Sequence, residues 1–455
     1  MSSVPLPLLW LFGPSGVGKS SVGWEVFVQL SRSGVKTAFV DGDQISLCHP
    51  VPEGGTHWIR ARSLAAMWPV FREEGAKCVV LSGVVGSLEE VREHTALLPD
   101  AALTLCRLRA DPAELRERFL ARGWRQDLVS RAVADARALD RGDFADVCVD
   151  TDGLTVADVA RLVRERAGGW PHAVPAATSG GAVPGSPAPR RDVVPGSPAP
   201  RRDVVPGSPA TSGGALPGSP PPRGGAVPGP SASRGGAAPG PSGPCVGAVP
   251  GPSVPRGDVV PSSSASRGDA VPVLWFSGAT AVGKSTVGYE VFRQVFRTGV
   301  RAAYVDLKQL GALRPVADDD PGSHRLKARN LAALWAGYRA AGARCLIVSG
   351  DADADATLRG YAELLSGTAV TVCRLHAGTA TLAERVARRG RGEGPVVPGD
   401  ELKGLDADTL RRIAGRAARE AEALDLAGAG DLRIDTDGRS VREVVEEVQA
   451  LIGDR

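Results

Sequence analysis

Two stretches of the 455-residue chain share the spacing G-x-x-x-x-G-K-S: Gly13-Pro14-Ser15-Gly16-Val17-Gly18-Lys19-Ser20 and Gly278-Ala279-Thr280-Ala281-Val282-Gly283-Lys284-Ser285. Each follows an apolar run and opens a helical pattern, the context in which that spacing has chemical meaning. Glycines let successive backbone N–H groups converge on an anion, and a helix N-terminus adds its dipole. The lysine then reaches the outer phosphate oxygens and the serine hydroxyl ligates a divalent cation. These loop residues are the expected phosphate cradle, with Lys19 and Lys284 as charged anchors and Ser20 and Ser285 as metal ligands. Seven of the 54 basic residues are lysines, so a lysine at both loop positions stands out in an arginine-rich chain. The expected ligands are a nucleotide and Mg²⁺. No N/T-K-x-D run that would read guanine is present, which favours ATP.

Acidic residues follow the second apolar run of each half, as Val40-Asp41-Gly42-Asp43-Gln44 and Val305-Asp306-Leu307-Lys308-Gln309. The runs expected to lie next to the loop strands end Val80-Leu81-Ser82-Gly83 and Ile347-Val348-Ser349-Gly350, and they read as lacking the carboxylate that motor and signalling NTPases carry there. At these residues the chain resembles the small-molecule branch of P-loop kinases, such as adenylylsulfate, gluconate and shikimate kinases. The resemblance implies that Asp41 and Asp43 orient Mg²⁺ or an acceptor hydroxyl, with Asp43 as the general base. In the second half Asp306 remains and Lys308 stands in place of Asp43. The run Arg107 to Gly123 resembles a lid entry, which implies that Arg118 and Arg122, and their counterparts Arg385 and Arg389, face a transferring phosphoryl group. Asp150-Thr-Asp-Gly153 and Asp435-Thr-Asp-Gly438 would lie near the adenine, or cap the last helix through Asp152 and Asp437. Arg60 and Arg62, with their counterparts Lys327 and Arg329, read as a solvated basic face or as receivers of an anionic acceptor.

The elements that must position these residues occur twice. Pro7 to Ser20 lies over Pro272 to Ser285 at a shift of 265, and His57 to Trp68 over His324 to Trp335 at a shift of 267. The Asp-Thr-Asp-Gly runs are shifted by 285, so the second copy is longer between Gly390 and Leu424. Apolar runs at 8–12, 38–40, 78–81, 103–108 and 147–149 alternate with helical stretches, which predicts an α/β fold with a parallel sheet covered by helices on both faces, built twice. Val22, Val26 and Leu30 share one face of the first helix, which should stop at Gly34. The expected layout is a kinase-like domain over 1–170, a linker over 171–271 and a second domain over 272–455.

Glycine (57) and proline (36) concentrate in that linker, which repeats Val-Pro-Gly-Ser-Pro-Ala-Pro-Arg-Arg-Asp-Val and then decays into Gly, Ala, Pro and Ser. Such a composition cannot bury enough apolar surface to offset ordering entropy, so disorder is expected, with an r.m.s. span of roughly 55 Å. Two domains on such a tether can act independently, and the sequence leaves open whether they pair. The net charge of +3 resides in the linker, which leaves no basic footprint for nucleic acid in the flanks. Seven cysteines form no CxxC pair and read as buried thiols. No apolar run approaches the ~20 residues of a membrane span, and the N-terminus reads as a strand without a leader's basic flank. A bacterial, cytoplasmic protein with no membrane contact is therefore expected. The resemblance implies transfer of the γ-phosphoryl group of ATP to a small-molecule acceptor that the sequence does not name. The alternative is a nucleotide-binding regulatory or scaffold protein with little catalysis, above all in the second half, which leaves room for a protein partner.

Overall fold

A computed structural model of the chain describes residues 4–121, 126–171, 270–351, 355–393 and 400–453. Most of the expected linker, 172–269, lies outside them, as does Arg122. In the first half the elements are β1 (Leu6–Phe12), α1 (Lys19–Arg32), β2 (Thr37–Asp41), β3 (Cys48–His49), α2 (Gly55–Glu73), β4 (Cys78–Ser82), α3 (Leu88–Ala96), β5 (Ala101–Arg109), α4 (Pro112–Ala121), α5 (Gln126–Asp140), β6 (Val147–Asp150) and α6 (Val156–Arg166). The second half continues with β7 (Val271–Ser277), α7 (Lys284–Arg297), β8 (Ala302–Asp306), β9 (Leu313–Arg314), α8 (His324–Ala340), β10 (Cys345–Ser349), α9 (Asp355–Leu364), β11 (Thr368–His376), α10 (Thr379–Gly390), α11 (Ala407–Leu426), β12 (Leu432–Asp435) and α12 (Val441–Gly453).

The strands form two sheets with matching order, β6-β5-β1-β4-β2-β9 and β12-β11-β7-β10-β8-β3. Five strands of each run parallel, and the sixth is an antiparallel edge. Side chains along a strand alternate between faces, and β1 shows it: Leu8, Trp10 and Phe12 join one core, while Leu9 and Leu11 join another with Val22, Val26 and Leu30 of α1. Helices therefore cover both faces, as the near-continuous apolar strands require. Helix α1 ends at Arg32, and Gly34 beyond it adopts a φ of 80°, which suits glycine at a helix stop.

The halves, which the tether would leave free to act independently, are paired. The edge strands are exchanged: β9 of the second half pairs with β2 of the first, and β3 of the first half pairs with β8 of the second. Phe39 N–H donates to the Ala312 carbonyl and Tyr304 N–H to the Leu47 carbonyl, both at 2.9 Å. Between the sheets, α2 packs on α8, and one core takes Leu64, Met67, Trp68 and Phe71 together with Leu331, Leu334, Trp335 and Tyr338. Burial of each large side chain there contributes roughly 1.5–3 kcal/mol. Arg329 completes the seam with ion pairs to Glu73 and, at 3.1 Å, to Glu74. A tether's length places no limit on such contacts, because apolar matching between α2 and α8 decides them.

Candidate phosphate-binding sites

Each phosphate loop leaves its strand through a glycine that the backbone demands. At Gly13 (φ 147°) a Cβ would lie 2.4 Å from the Leu108 carbonyl oxygen, and at Gly278 (φ 128°) 2.3 Å from that of Leu375. Both positions exclude a side chain. The helices begin behind Gly18 and Gly283, which are left-handed and supply no side-chain cap to α1 and α7. An uncapped helix start presents backbone N–H groups, the usual seat of a phosphate.

In the first half, Lys19 is buried and its Nζ donates to the carbonyls of Gly13 (3.1 Å) and Pro14 (3.0 Å). Asp41 ends β2 and Asp43 stands two residues on, its N–H donating to Asp41 Oδ1 at 3.1 Å. Burial, then the neighbouring Asp43, pushes the Asp41 carboxyl above its ordinary range, while Ser20 and Lys19 oppose that shift. Arg60, expected on a solvated face or facing an acceptor, is only 5% exposed. Its guanidinium donates to the Val84 carbonyl (2.7 Å) and to Asp43 Oδ1 (3.2 Å), which holds Asp43 in place. The geometry thus corrects the solvated reading of Arg60. Ser82 Oγ donates to Ser20 Oγ at 3.4 Å.

The second half keeps the loop and rearranges the charges. Lys284 Nζ donates to the carbonyls of Gly278 (2.5 Å) and Ala279 (3.1 Å), and it also lies 2.7 Å from Asp351 Oδ1. Asp351 directly follows Gly350, so a carboxylate is present at the end of this strand after all; reading the strand only as far as Ser-Gly missed it. The signal was there in the self-comparison, where Asp351 stands over Val84. Burial raises the Asp351 carboxyl, but Lys284 together with Lys308 and Lys327 outweighs it and the net shift is downward. The indole of Trp275 donates to the Gly350 carbonyl at 3.3 Å, bracing the turn that carries Asp351. Asp306 Oδ2 accepts from Ser285 Oγ at 2.6 Å, and its Oδ1 accepts from the N–H of Lys308 at 3.0 Å. Glu420 of α11 accepts from the loop N–H of Thr280 at 3.1 Å.

Of the lid arginines, Arg118, Arg385 and Arg389 lie among the described residues, and each is held by groups of the chain itself. Arg118 donates to the Val17 carbonyl (3.2 Å) and to Thr151, through Oγ1 (3.0 Å) and the carbonyl (3.1 Å). Arg385 repeats this on Val282 (2.8 Å) and Thr436 (2.9 Å). Each ties the phosphate loop to the Asp-Thr-Asp-Gly turn. Arg389 pairs with Asp400 at 2.7 Å. Asp152 accepts from Asp111 N–H at 2.9 Å and Asp437 from Gly378 N–H at 2.8 Å, so neither caps the last helix. Thr155 caps α6 instead, accepting from Asp158 N–H at 3.2 Å. Among the described residues no group of three or more His, Cys, Asp or Glu side chains is placed to hold a metal ion. The hydroxyl and carboxylate oxygens of Ser20 with Asp41, and of Ser285 with Asp306, form a donor set that suits Mg²⁺ shared with phosphate oxygens. No helix among the described residues is long and apolar enough to cross a membrane.

No family model matches the chain, and no curated protein matches it. Similar solved structures exist. A tunicamycin resistance protein from Deinococcus radiodurans is 20% identical, with a TM-score of 0.29, over 36% of this chain and 96% of that one. The adenylylsulfate (APS) kinase of Mycobacterium tuberculosis, solved with AMPPNP and APS, is 17% identical with a TM-score of 0.28, over 36% of this chain and 99% of its own. A gluconokinase from Sinorhizobium meliloti is 17% identical with a TM-score of 0.28, over 42% of this chain and 94% of its own.

Proposed function

We propose that the first half binds ATP with Mg²⁺ and transfers the γ-phosphoryl group to a small hydroxylated acceptor, a kinase reaction. The observation that carries this reading is the placement of Asp43. It follows the strand that leads away from the loop, and the buried Arg60 holds its carboxylate at 3.2 Å while leaving the carboxyl side chain 59% exposed. An exposed, oriented carboxylate at the mouth of a phosphate loop is where an acceptor hydroxyl needs a base. Lys19 would move from the Gly13 and Pro14 carbonyls onto the outer phosphate oxygens, and positioning with charge neutralisation would supply most of the rate. Mg²⁺, held by Ser20 and the nucleotide, supplies further neutralisation of phosphate charge when bound. Arg118 and Arg385 act as braces that couple each loop to the turn after the last strand, and their part in catalysis is indirect.

For the second half a regulatory nucleotide site is the better reading, because Lys308 replaces the base and Asp351 occupies Lys284. The test is ATP titration and ADP release by the full chain against a panel of small hydroxy acids and sugars, with Lys19→Ala, Lys284→Ala and Asp43→Asn variants. Acceptor-dependent ADP release that Lys19→Ala and Asp43→Asn abolish, and that Lys284→Ala leaves in place, supports the assignment. Turnover that survives Asp43→Asn sinks it.

A further inference from the structure

We infer that the second loop is a nucleoside diphosphate site: it accepts ADP in preference to ATP, because the chain's own Asp351 carboxylate takes the place at Lys284 that a γ-phosphate needs. The inference rests on the proposed reading of this loop as a nucleotide site.

Lysine in this loop spans the β- and γ-phosphate oxygens. In the second half that ammonium is already divided between two loop carbonyls and the Asp351 carboxylate at 2.7 Å. The Lys284 side chain is 9% exposed and that of Asp351 34%, so solvent screens the pair only in part. The contact is built into the fold. Gly350 lies where a Cβ would be 2.6 Å from the Leu307 side chain, so the chain passes Leu307 closely, and Trp275 holds the Gly350 carbonyl. That turn delivers Asp351 to the lysine. Glu420 engages the loop N–H of Thr280 at 3.1 Å, a contact that a diphosphate and a triphosphate must displace alike.

A γ-phosphate brings a further phosphate group and one more net negative charge to the same ammonium. It must either displace Asp351, which gives up its 2.7 Å pair with Lys284 for the smaller pull of Lys308 and Lys327, or sit against it, and like charges at this separation repel strongly. A nucleotide that ends at the β-phosphate asks only for the loop N–H groups and one side of Lys284, so the Asp351 pair survives. At the matching position of the first half stands Val84, whose backbone carbonyl accepts from Arg60. The same chain would then hold one site that consumes ATP and one that reads the product, ADP.

The experiment uses the full chain carrying Lys19→Ala, so that binding reports the second loop, with a Lys19→Ala/Lys284→Ala chain as the zero. ADP, ATP and the non-hydrolysable β,γ-imido analogue of ATP are titrated calorimetrically with Mg²⁺. The expected result is ADP tighter than either triphosphate by about 10-fold or more, and a ratio near 1 once Asp351→Val or Asp351→Asn is added. Both substitutions are checked by thermal melting, and Asp351→Val imitates the first half's own residue. Triphosphate binding as tight as ADP in the Lys19→Ala chain overturns the inference, as does a preference that outlasts both Asp351 variants. If neither nucleotide binds the second loop with or without Asp351, the reading of that loop as a nucleotide site falls, a different failure.

Discussion

The two phosphate sites are built on the same frame and differ in where their charges stand. In the first, the acidic pair is contiguous, Asp41 and Asp43 after β2, and Arg60 organises it. In the second, one carboxylate remains after β8 as Asp306, the other has moved across to Asp351 after β10, and Lys308 and Lys327 stand where Asp43 and Arg60 were. Among the described residues neither lysine's ammonium has a hydrogen-bond or ion-pair partner, and burial pulls the Lys327 ammonium below its ordinary range. The backbone cradle is shared by the two halves, and on the proposed reading it would fix where phosphate binds. The charges around it would then decide how many phosphates are welcome and whether a base is available.

The largest expected effect tests whether the halves can be compared as separate bodies at all. Chains cut to 1–170 and 272–455 each lose the edge strand that the other supplies, and expose the α2 or α8 face. Each alone should fail to give a cooperative melt by circular dichroism, and the two co-expressed should copurify. Two independently melting halves would refute the exchange as a requirement for folding.

Next comes the loop interior, where the halves carry matched substitutions. Gly16 (φ 83°) faces the Phe119 ring, 2.4 Å from where a Cβ would be, whereas the second half has Ala281 (φ 67°) at that position and Val386 opposite. Gly16→Ala should destabilise the chain by about 2–3 kcal/mol in urea unfolding, and Phe119→Val should recover most of that loss. Absence of rescue would show that backbone strain alone, not the ring, sets the cost.

A third difference predicts acid sensitivity. His94 packs on Trp10 with ring centroids 4.7 Å apart, and Tyr361 takes its place on Trp275 at 4.9 Å. Burial lowers the His94 pKa from 6.5 to about 4, against the pull of the Glu90 carbonyl, which accepts from Nδ1 at 2.7 Å. Between those values the unfolded chain binds the extra proton, so this contribution is complete above pH 6.5 and is lost as the pH falls toward 4. The loss is about 2 kcal/mol at pH 5. His94→Tyr should flatten the melting temperature between pH 7 and pH 5; an unchanged slope would place the titration elsewhere. The smallest effect is expected at the seam, where Arg329→Ala should cost at most about 1 kcal/mol, since its guanidinium is part-exposed.

Much of each site was legible in the residues. The loops, the run after β2 and the apolar alternation all act locally, through backbone freedom and periodicity, and their strands fall within a few residues of expectation. What escaped was contact at a distance. Arg60 looked like a solvated cation because it stands with Arg62 as a basic pair, and the approach of Asp43 and the Val84 carbonyl takes it out of water. Arg118 and Arg385 fit the lid spacing, yet Val17, Thr151, Val282 and Thr436 claim them. Asp351 was visible but carried no meaning until the turn at Gly350 brought it to Lys284.

By itself the sequence determined the two phosphate loops, the α/β alternation and the internal likeness of the halves, because these depend on residues within a few positions of one another. The tertiary structure alone decided that each sheet closes on a strand from the other half and that a lysine of one loop meets a carboxylate 67 residues away. Such contacts follow from how whole faces pack, and no local pattern records which face a partner will cover.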